Sequence, residues 1–448
     1  MKWQEKYKPV IGLEIHAELK TDSKMFCGCV NDPFSAEKPN SYTCPVCLGM
    51  PGGLPVPNKK AIEWTLKIGL ATECQINNFS KFDRKHYFYP DLAKGYQISQ
   101  YDLPFCYDGQ MTVTDGVIEI RRIHLEEDTG KLLHTSIDDK KVTLVDFNRS
   151  GVPLVEIVTE PDITSGKQAK EFGKKIRQLL RFLEVADCDM EQGGMRLEAN
   201  ISLRKIGETA LPNYKVEIKN INSFRFMEQA VDYELERQAK LLEAGETPIQ
   251  ETRGWDSVKN ETFSQRSKEE AEDYRYFPEP DIPPFHFEES FIAEIRASLP
   301  DLPIIIAKKW QEKYALHPKQ IEILLATDSK KKILWLEKVF ALLAEKSLDN
   351  NLFANDFINK KIIMSSDAKP EEAVTSFEKL HATEKIDDTE LKNIIQTVLK
   401  NNADAVAKYQ AGQTQVIGFL IGQIMKNINK KIDPKVVRKA LQTTLEAD

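Results

Sequence analysis

Between Val10 and Lys20 the chain alternates strictly: Ile11, Leu13, Ile15, Ala17 and Leu19 interleave with Gly12, Glu14, His16, Glu18 and Lys20. A period of two gives a helix no continuous apolar stripe, so the stretch predicts a half-buried strand with one polar side. Glu14 and His16 then leave the same face, one pleat apart. The pattern recurs downstream. Val113, Val117, Ile118, Ile120, Ile123 and Leu125 supply the apolar positions of antiparallel strands between Met111 and Asp146, with Asp108-Gly109 and Asp115-Gly116 as turns. Val152 to Thr159 reads as a strand carrying one carboxylate, Glu156, in an apolar run, and a lone buried charge needs a partner. Further on, Leu197, Ala199, Ile201 and Leu203 oppose Arg196, Glu198, Asn200, Ser202 and Arg204, and Val216 and Ile218 alternate with Lys215, Glu217 and Lys219.

Three helical patterns accompany these strands. One runs from Asn58, a good cap, to about Thr72; a second starts at Ser165; a third spans about Phe224 to Glu243. The fold class is therefore α+β: an antiparallel sheet covered by helices on one face and polar on the other. The proline-rich stretch from Tyr274 to Pro284 reads as a break in regular structure and a boundary. Beyond it the chain is helical, Lys-rich and poor in Gly.

A length of 448 residues predicts two to four domains, and 41% hydrophobic with 29% charged residues is ordinary for a soluble globular chain. The net charge of −7 announces neither nucleic acid nor membrane. Its distribution says more: from Leu391 onward nine Lys/Arg face four Asp/Glu, so this tail carries +5 and the rest −12. A basic tail on an acidic body hints at a polyanionic partner, although such an excess is more often a solvated helical face.

Cys27, Cys29, Cys44 and Cys47 are spaced C-x-C and C-x-x-C, a pattern that converges on one tetrahedral ion. Four protein ligands would make such a zinc structural. Disulfides and inert thiols are the alternatives. No secretory or transmembrane run is present, so the expected compartment is the reducing cytoplasm, which disfavours disulfides. Cys74, Cys106 and Cys188 stand alone and read as ordinary buried residues.

Two further stretches bear on chemistry. Lys81, Arg84 and Lys85 interleave with Phe82, Tyr87, Phe88 and Tyr89, which suits a phosphate and a stacked base; a basic loop with its aromatics tucked into the core is the plainer reading. Glu14, His16, Glu126, Glu127 and Glu156 come from neighbouring strands of one predicted sheet. Carboxylates gathered on an open face repel one another unless a cation sits among them, and they suit a divalent ion holding nucleotide phosphates. Oxygen ligands favour Mg²⁺, and the imidazole also admits Mn²⁺. An ion-paired, inert face is the alternative. No Walker A or kinase glycine loop occurs, so any phosphoryl transfer must rest on metal and carboxylates.

The motifs Ile11-Gly-Leu-Glu-Ile-His-Ala-Glu-Leu19, Lys81-Phe-Asp-Arg-Lys-His-Tyr-Phe-Tyr-Pro-Asp91, Gly95-Tyr-Gln-Ile-Ser-Gln100, His124-Leu-Glu-Glu-Asp128, Val145 to Asp162, Ala199-Asn-Ile-Ser202, Lys219 to Ser223 and Asp273 to Asp281 span the body. Together they resemble the B subunits of bacterial and organellar aspartyl/glutamyl-tRNA amidotransferases, as does Val416 to Lys426 in the tail. The resemblance implies a glutamine-synthetase-like catalytic body (residues 1–290), a helical domain (291–385) and a helical tail that contacts tRNA (386–448). It implies that ATP phosphorylates the side-chain carboxylate of Glu misacylated onto tRNA-Gln, or of Asp on tRNA-Asn, and that ammonia displaces phosphate. It also implies a partner amidase (the A subunit of the family's assembly) delivering ammonia through a tunnel, and a small C subunit; no glutaminase nucleophile cluster of this chain's own is evident. Glu14, His16, Glu126, Glu127 and Glu156 fall on the family's metal positions. The helical middle, about Trp335 to Ser376, is shorter and more Lys-rich than is usual for the family, and many members lack the four cysteines. A non-catalytic tRNA-binding scaffold is the rival reading, but a scaffold needs no metal-ready carboxylates. The archaeal glutamate-specific relative carries a large insertion that this chain has no room for.

Overall fold

The computed structural model describes residues 2–267, 275–326, 329–382, 384, 386–428 and 432–447. Two compact units emerge: Met1–Glu312 with Ile321–Ile333, and Lys313–Gln320 with Leu334–Asp448. The strands of the first, in chain order, are β1 (Tyr7–Glu18), β2 (Gln75–Ile76), β3 (Phe79–Ser80), β4 (Asp83–His86), β5 (Tyr96–Ser99), β6 (Cys106–Val113), β7 (Gly116–Glu127), β8 (Lys131–Ile137) and β9 (Lys140–Asp146). They continue with β10 (Pro153–Thr159), β11 (Met195–Lys205), β12 (Val216–Ile221), β13 (Glu251–Asp256), β14 (Glu261–Ser267), β15 (Arg275–Pro278) and β16 (Phe285–His286). Nine of them form one sheet in the order β14-β13-β12-β11-β1-β10-β7-β6-β2, antiparallel throughout except between β12 and β13.

The alternation in β1 does what it predicts. Ile11, Leu13, Ile15 and Ala17 are fully buried beneath helices α1 (Lys59–Ala71), α2 (Gly166–Phe182) and α3 (Phe224–Glu243), in one apolar core with Leu66, Phe172, Ile176, Met227 and Val231. Each such Ile or Leu contributes roughly 1.5–3 kcal/mol on burial. That sum fixes the register, because a one-residue slip would drive Glu14 and His16 into this core. The helix starts also follow the sequence. Asn58 Oδ1 accepts from the amides of Lys60 and Ala61, and Ser165 Oγ accepts from Gln168 N.

One sequence expectation fails here and another holds only in part. Asp108-Gly109 is no turn; both residues lie inside β6. Gly109 is there for space, because a Cβ would stand 2.3 Å from Cys74 Sγ and 2.8 Å from Thr72 O. The proline-rich stretch breaks regular structure only in part: residues 279–284 carry no helix or strand, but its start does. From Arg275 it forms β15, which pairs antiparallel with β4, while β16 pairs with β3; Asp273 and Tyr274 lie outside the described residues. Pro278 is tolerated because β15 is an edge strand of the three-stranded sheet β15-β4-β5.

The remaining helices are α4 (Glu289–Ala297), α5 (Pro303–Tyr314), α6 (Pro318–Leu325), α7 (Lys330–Glu345), α8 (Asn350–Ile358), α9 (Pro370–His381), α10 (Asp388–Asn401), α11 (Ala403–Gln410), α12 (Ile417–Lys426) and α13 (Pro434–Ala447). Leu391, Ile395, Leu420, Ile424, Val437 and Leu441 bring α10, α12 and α13 around an apolar core of their own. The architecture is thus α+β, an antiparallel-dominated sheet with a helical C-terminal region. No helix of the described residues is long and apolar enough to cross a membrane.

Candidate active site and thiolate cluster

The polar face of the sheet carries the site, and register decides its membership. His16 of β1 lies opposite Glu156 of β10, and Glu156 lies opposite His124 of β7. Glu126, two residues beyond His124, shares its face. Parity therefore converges four side chains: His16 Nε2 is 3.3 Å from Glu156 Oε2 and 3.9 Å from Glu126 Oε1, while His124 Nε2 is 3.1 Å from Glu156 Oε2 and 3.7 Å from Glu126 Oε2. Ser99 Oγ, from β5, donates to Glu126 Oε2 at 2.9 Å.

The electrostatics are those of a buried carboxylate pair held by cations. Burial opposes ionisation of Glu156, yet the charges of His124 and His16 hold it well below the usual carboxylate range. Burial likewise works against His16, but Glu156 and then Glu198 raise it to about 9. Lys85 is raised despite burial, chiefly by Glu126, Tyr276 and Glu156. His16 Nδ1 and His124 Nδ1 are buried without a hydrogen-bond partner. Ligand atoms of His16, Glu126 and Glu156 all lie within 4.8 Å of one another. One imidazole and two carboxylates at that spacing fit a divalent ion of the Mg²⁺/Mn²⁺ type.

A second acidic group adjoins the first along β1. Glu14, Glu198 and Glu217, from β1, β11 and β12, also lie within 4.8 Å of one another. Asn200 Nδ2 donates to Glu14 Oε1 at 2.8 Å, and Lys219 Nζ lies 3.1 Å from Glu198 and 3.3 Å from Glu217. Burial first, then Glu156, Glu198 and Glu217, raise Glu14.

Sequence reasoning places Glu14, His16, Glu126, Glu127 and Glu156 together. The structure brings His16, Glu126 and Glu156 into one group, sets Glu14 in the adjacent one, and turns Glu127 to the opposite side of β7. There Glu127 pairs with Lys94 Nζ at 2.7 Å and accepts from Ile98 N at 3.0 Å. Sequence reasoning misses His124, Glu198 and Glu217 as site residues, although alternation puts His124 in phase with Glu126 and Glu198 in phase with Asn200. It also misses a neighbouring knot at the end of β1. Arg196 Nη2 sits 2.7 Å from Asp128 Oδ2 and Arg149 Nε 3.8 Å from Oδ1. Against burial, the two arginines hold Asp128 down to about 2, while burial and Asp128 push Glu18 up to about 8.

Of the basic residues singled out by the sequence, Lys85 is the one whose charge is favoured by Glu126 and Glu156. Lys81 is paired with Asp83 and, at 2.6 Å, with Asp102. Arg84 clamps Glu279 with two bonds, Nε–Oε2 2.7 Å and Nη2–Oε1 2.8 Å, and lies 4.4 Å from the Tyr96 ring centroid. Glu279 is buried, so Arg84→Leu leaves a carboxylate uncompensated. The expected cost is about 3–5 kcal/mol, read as a lower denaturation midpoint; an unchanged midpoint would show that the clamp contributes nothing.

The four cysteines converge as their spacing predicts. The Sγ atoms of Cys27, Cys29, Cys44 and Cys47 lie within 4.8 Å of one another, and Cys44 Sγ and Cys47 Sγ are 3.8 Å apart, not bonded. Hydrogen bonding from Cys27 leads the causes that bring Cys47 down to about 5, against burial and with help from Cys44 N and Lys24. Burial raises Cys29 to about 11. Thiols this close do not ionise together unless a cation offsets their charge, and four sulfur donors fit Zn²⁺.

Comparison with known families decides the assignment. The GatB/GatE catalytic domain matches residues 9–293, and the GatB domain matches residues 315–445. The chain belongs to this family. It is 45% identical over 480 residues to the B subunit of the aspartyl/glutamyl-tRNA(Asn/Gln) amidotransferase of Thermodesulfovibrio yellowstonii, covering 97% of this chain and 98% of that one. The same protein of Caldanaerobacter subterraneus subsp. tengcongensis is 43% identical over 480 residues, with 98% and 99% covered. That of Thermomicrobium roseum is 42% identical over 480 residues, again with 98% and 99% covered. The GatB/GatE match contains both acidic groups, His16/Glu126/Glu156 and Glu14/Glu198/Glu217, and all four cysteines.

Proposed function

We propose that this chain is the ATP-dependent activating subunit of a tRNA amidotransferase, converting Glu on tRNA-Gln, or Asp on tRNA-Asn, to the amide. The observation that carries the reading is the convergence of His16, Glu126 and Glu156 on the polar face of the sheet. Hydroxide is a poor leaving group and phosphate a good one, so the side-chain carboxylate must first be phosphorylated. Its oxygen attacks the γ-phosphorus of ATP, and ADP leaves. Ammonia then adds to the acyl carbon, phosphate departs, and the nitrogen gives up its one extra proton.

His16, Glu126 and Glu156 are the residues that would hold a divalent ion, with Glu14, Glu198 and Glu217 able to hold a second. Bound there, such ions neutralise phosphate charge and align the attacking and leaving oxygens. Lys85 offsets repulsion between the incoming carboxylate and the phosphate, and Ser99 fixes Glu126. We assign ammonia supply to a partner amidase, the A subunit of the assembly, joined by a small C subunit, and the compartment to the cytoplasm. The body, residues 1–290, is read as glutamine-synthetase-like, followed by a helical domain (291–385) and a tail (386–448). The direct test reconstitutes the assembly with each misacylated tRNA, ATP and ammonium; no amide on either tRNA sinks the reading.

The tail contributes tRNA affinity and not chemistry. Its excess of Lys and Arg includes Lys392, Lys400, Lys408, Lys426, Lys435, Arg438 and Lys439, all exposed around the separate apolar core. Deleting the chain from Leu391 is expected to raise KM for tRNA roughly tenfold and to flatten the dependence of binding on salt. Ammonia- and ATP-dependent turnover should persist at saturating tRNA; unchanged tRNA affinity would place the contact elsewhere.

A further inference from the structure

The three-stranded sheet β15-β4-β5 supplies more to the site than Lys85 and Ser99. Tyr276 of β15 lies directly across from Lys85 of β4 in the strand register. Its ring stacks on Tyr101, with centroids 4.3 Å apart and planes 16° from parallel. Tyr101 follows Ser99 by two residues, and Ser99 holds Glu126. The backbone of Tyr101 is pinned by Asp83 Oδ2, which accepts from Tyr101 N at 3.1 Å. Even so, 53% of Tyr101 is exposed. A tyrosine whose main chain is tied down and whose ring is backed by a second ring, yet which stays half in water, offers a rigid aromatic face two residues on from the Ser99 that holds Glu126.

We propose that the Tyr101–Tyr276 stack is the platform on which the 3′-terminal adenine of the aminoacyl-tRNA lies while its amino-acid carboxylate reaches the His16/Glu126/Glu156 group. This deepens the activating-subunit reading and rests on it. Sheet order selects this base over the adenine of ATP. The second acidic group spans β1, β11 and β12, on the far side of β1 from β7. Nucleotide phosphates held by both groups would lead the rest of the nucleotide towards β12. The β7 side, where β5 and β15 stand, is left for the other substrate. Stacking needs only a π face, so the platform positions the acceptor end without reading its sequence.

The test uses the complete amidotransferase and uncharged tRNA ending in 2-aminopurine, whose fluorescence is quenched on stacking. Binding to the unaltered enzyme should quench it. Tyr101→Ala should abolish the quench and raise KM for aminoacyl-tRNA by about 5- to 150-fold, the range for loss of one base–aromatic stack. Tyr101→Phe, which keeps the ring, should restore both readouts, and KM for ATP should stay within about twofold in each variant. A rise in KM for ATP with the quench intact would overturn the proposal in favour of the nucleotide's adenine. No quench in the unaltered enzyme, or a quench indifferent to Tyr101→Ala, would overturn it outright. Glu156→Gln assayed alongside keeps the two readings separate, since its normal turnover would discredit the carboxylate site and not the platform.

Discussion

Glu156→Gln is expected to cripple amide formation at every concentration of ammonium. The substitution keeps the shape of the side chain and removes one charge from the centre of the site. Glu156 is where His16 and His124 meet, at 3.3 and 3.1 Å, and its carboxylate is held ionised by both. The amide leaves a weak oxygen donor in place of a charged one, so a divalent ion proposed to sit there would be held less tightly, and the phosphate charge it would offset would go unbalanced. The expected fall in turnover is on the order of 10²–10³-fold. Free ammonia bypasses a defect in delivery but not one in activation, so ammonium chloride with ATP is the diagnostic condition. Amidated tRNA formed at the normal rate under that condition would mean that activation happens elsewhere. Glu127→Gln gives the contrast. It breaks the pair with Lys94 on the other side of the strand and should retain more ammonium-dependent turnover than Glu156→Gln.

That contrast marks the limit of what is legible in the sequence. Alternation within one strand is a local property, and it puts Glu14 and His16 on one face and the apolar set of β1 in the core. Which strand lies beside β1 is not local. His16 meets Glu156 and Arg196 across gaps of 140 and 180 residues, and no periodicity reports such pairings. Glu126 and Glu127 show a subtler loss, since adjacent residues in a strand must diverge. Treating three successive acids as one cluster ignores the pleat. Arg84 illustrates the reverse error. A basic residue among aromatics suits a phosphate, but Glu279, 195 residues away, already occupies it. Proline punctuation misleads for a physical reason too, because an edge strand has a free side on which a missing N–H costs little. The cysteine cluster is the most legible grouping, because its four thiols lie close in the chain and their paired spacing brings them together.

Purified, reduced protein is expected to carry about one zinc per chain, lost in the Cys44→Ser/Cys47→Ser double variant. The loop from Cys27 to Cys47 has little regular structure and is held by a few anchors. Ser150 Oγ donates to Cys47 O at 2.9 Å, Tyr42 N donates to Asn148 Oδ1 at 2.8 Å, and the buried Lys24 Nζ donates to Tyr42 O at 2.8 Å. Lys24 Nζ also lies 3.9 Å from Cys47 Sγ, so a buried ammonium faces the cluster. Ser150 and Asn148 belong to the turn before β10, so these anchors tie the loop to the strand that carries Glu156. In zinc-finger peptides a structural zinc supplies about 10–16 kcal/mol of apparent binding energy, so its loss should loosen the whole segment, not one bond. Faster amide exchange and proteolysis over residues 26–50 should accompany metal loss. Activity should fall less than in Glu156→Gln, because no cysteine touches the carboxylate group. Cys74→Ser, at a buried thiol outside the cluster, should keep its zinc. Zinc-free protein from a fresh reduced preparation, or zinc retained by the double variant, would leave the four thiols as inert neighbours.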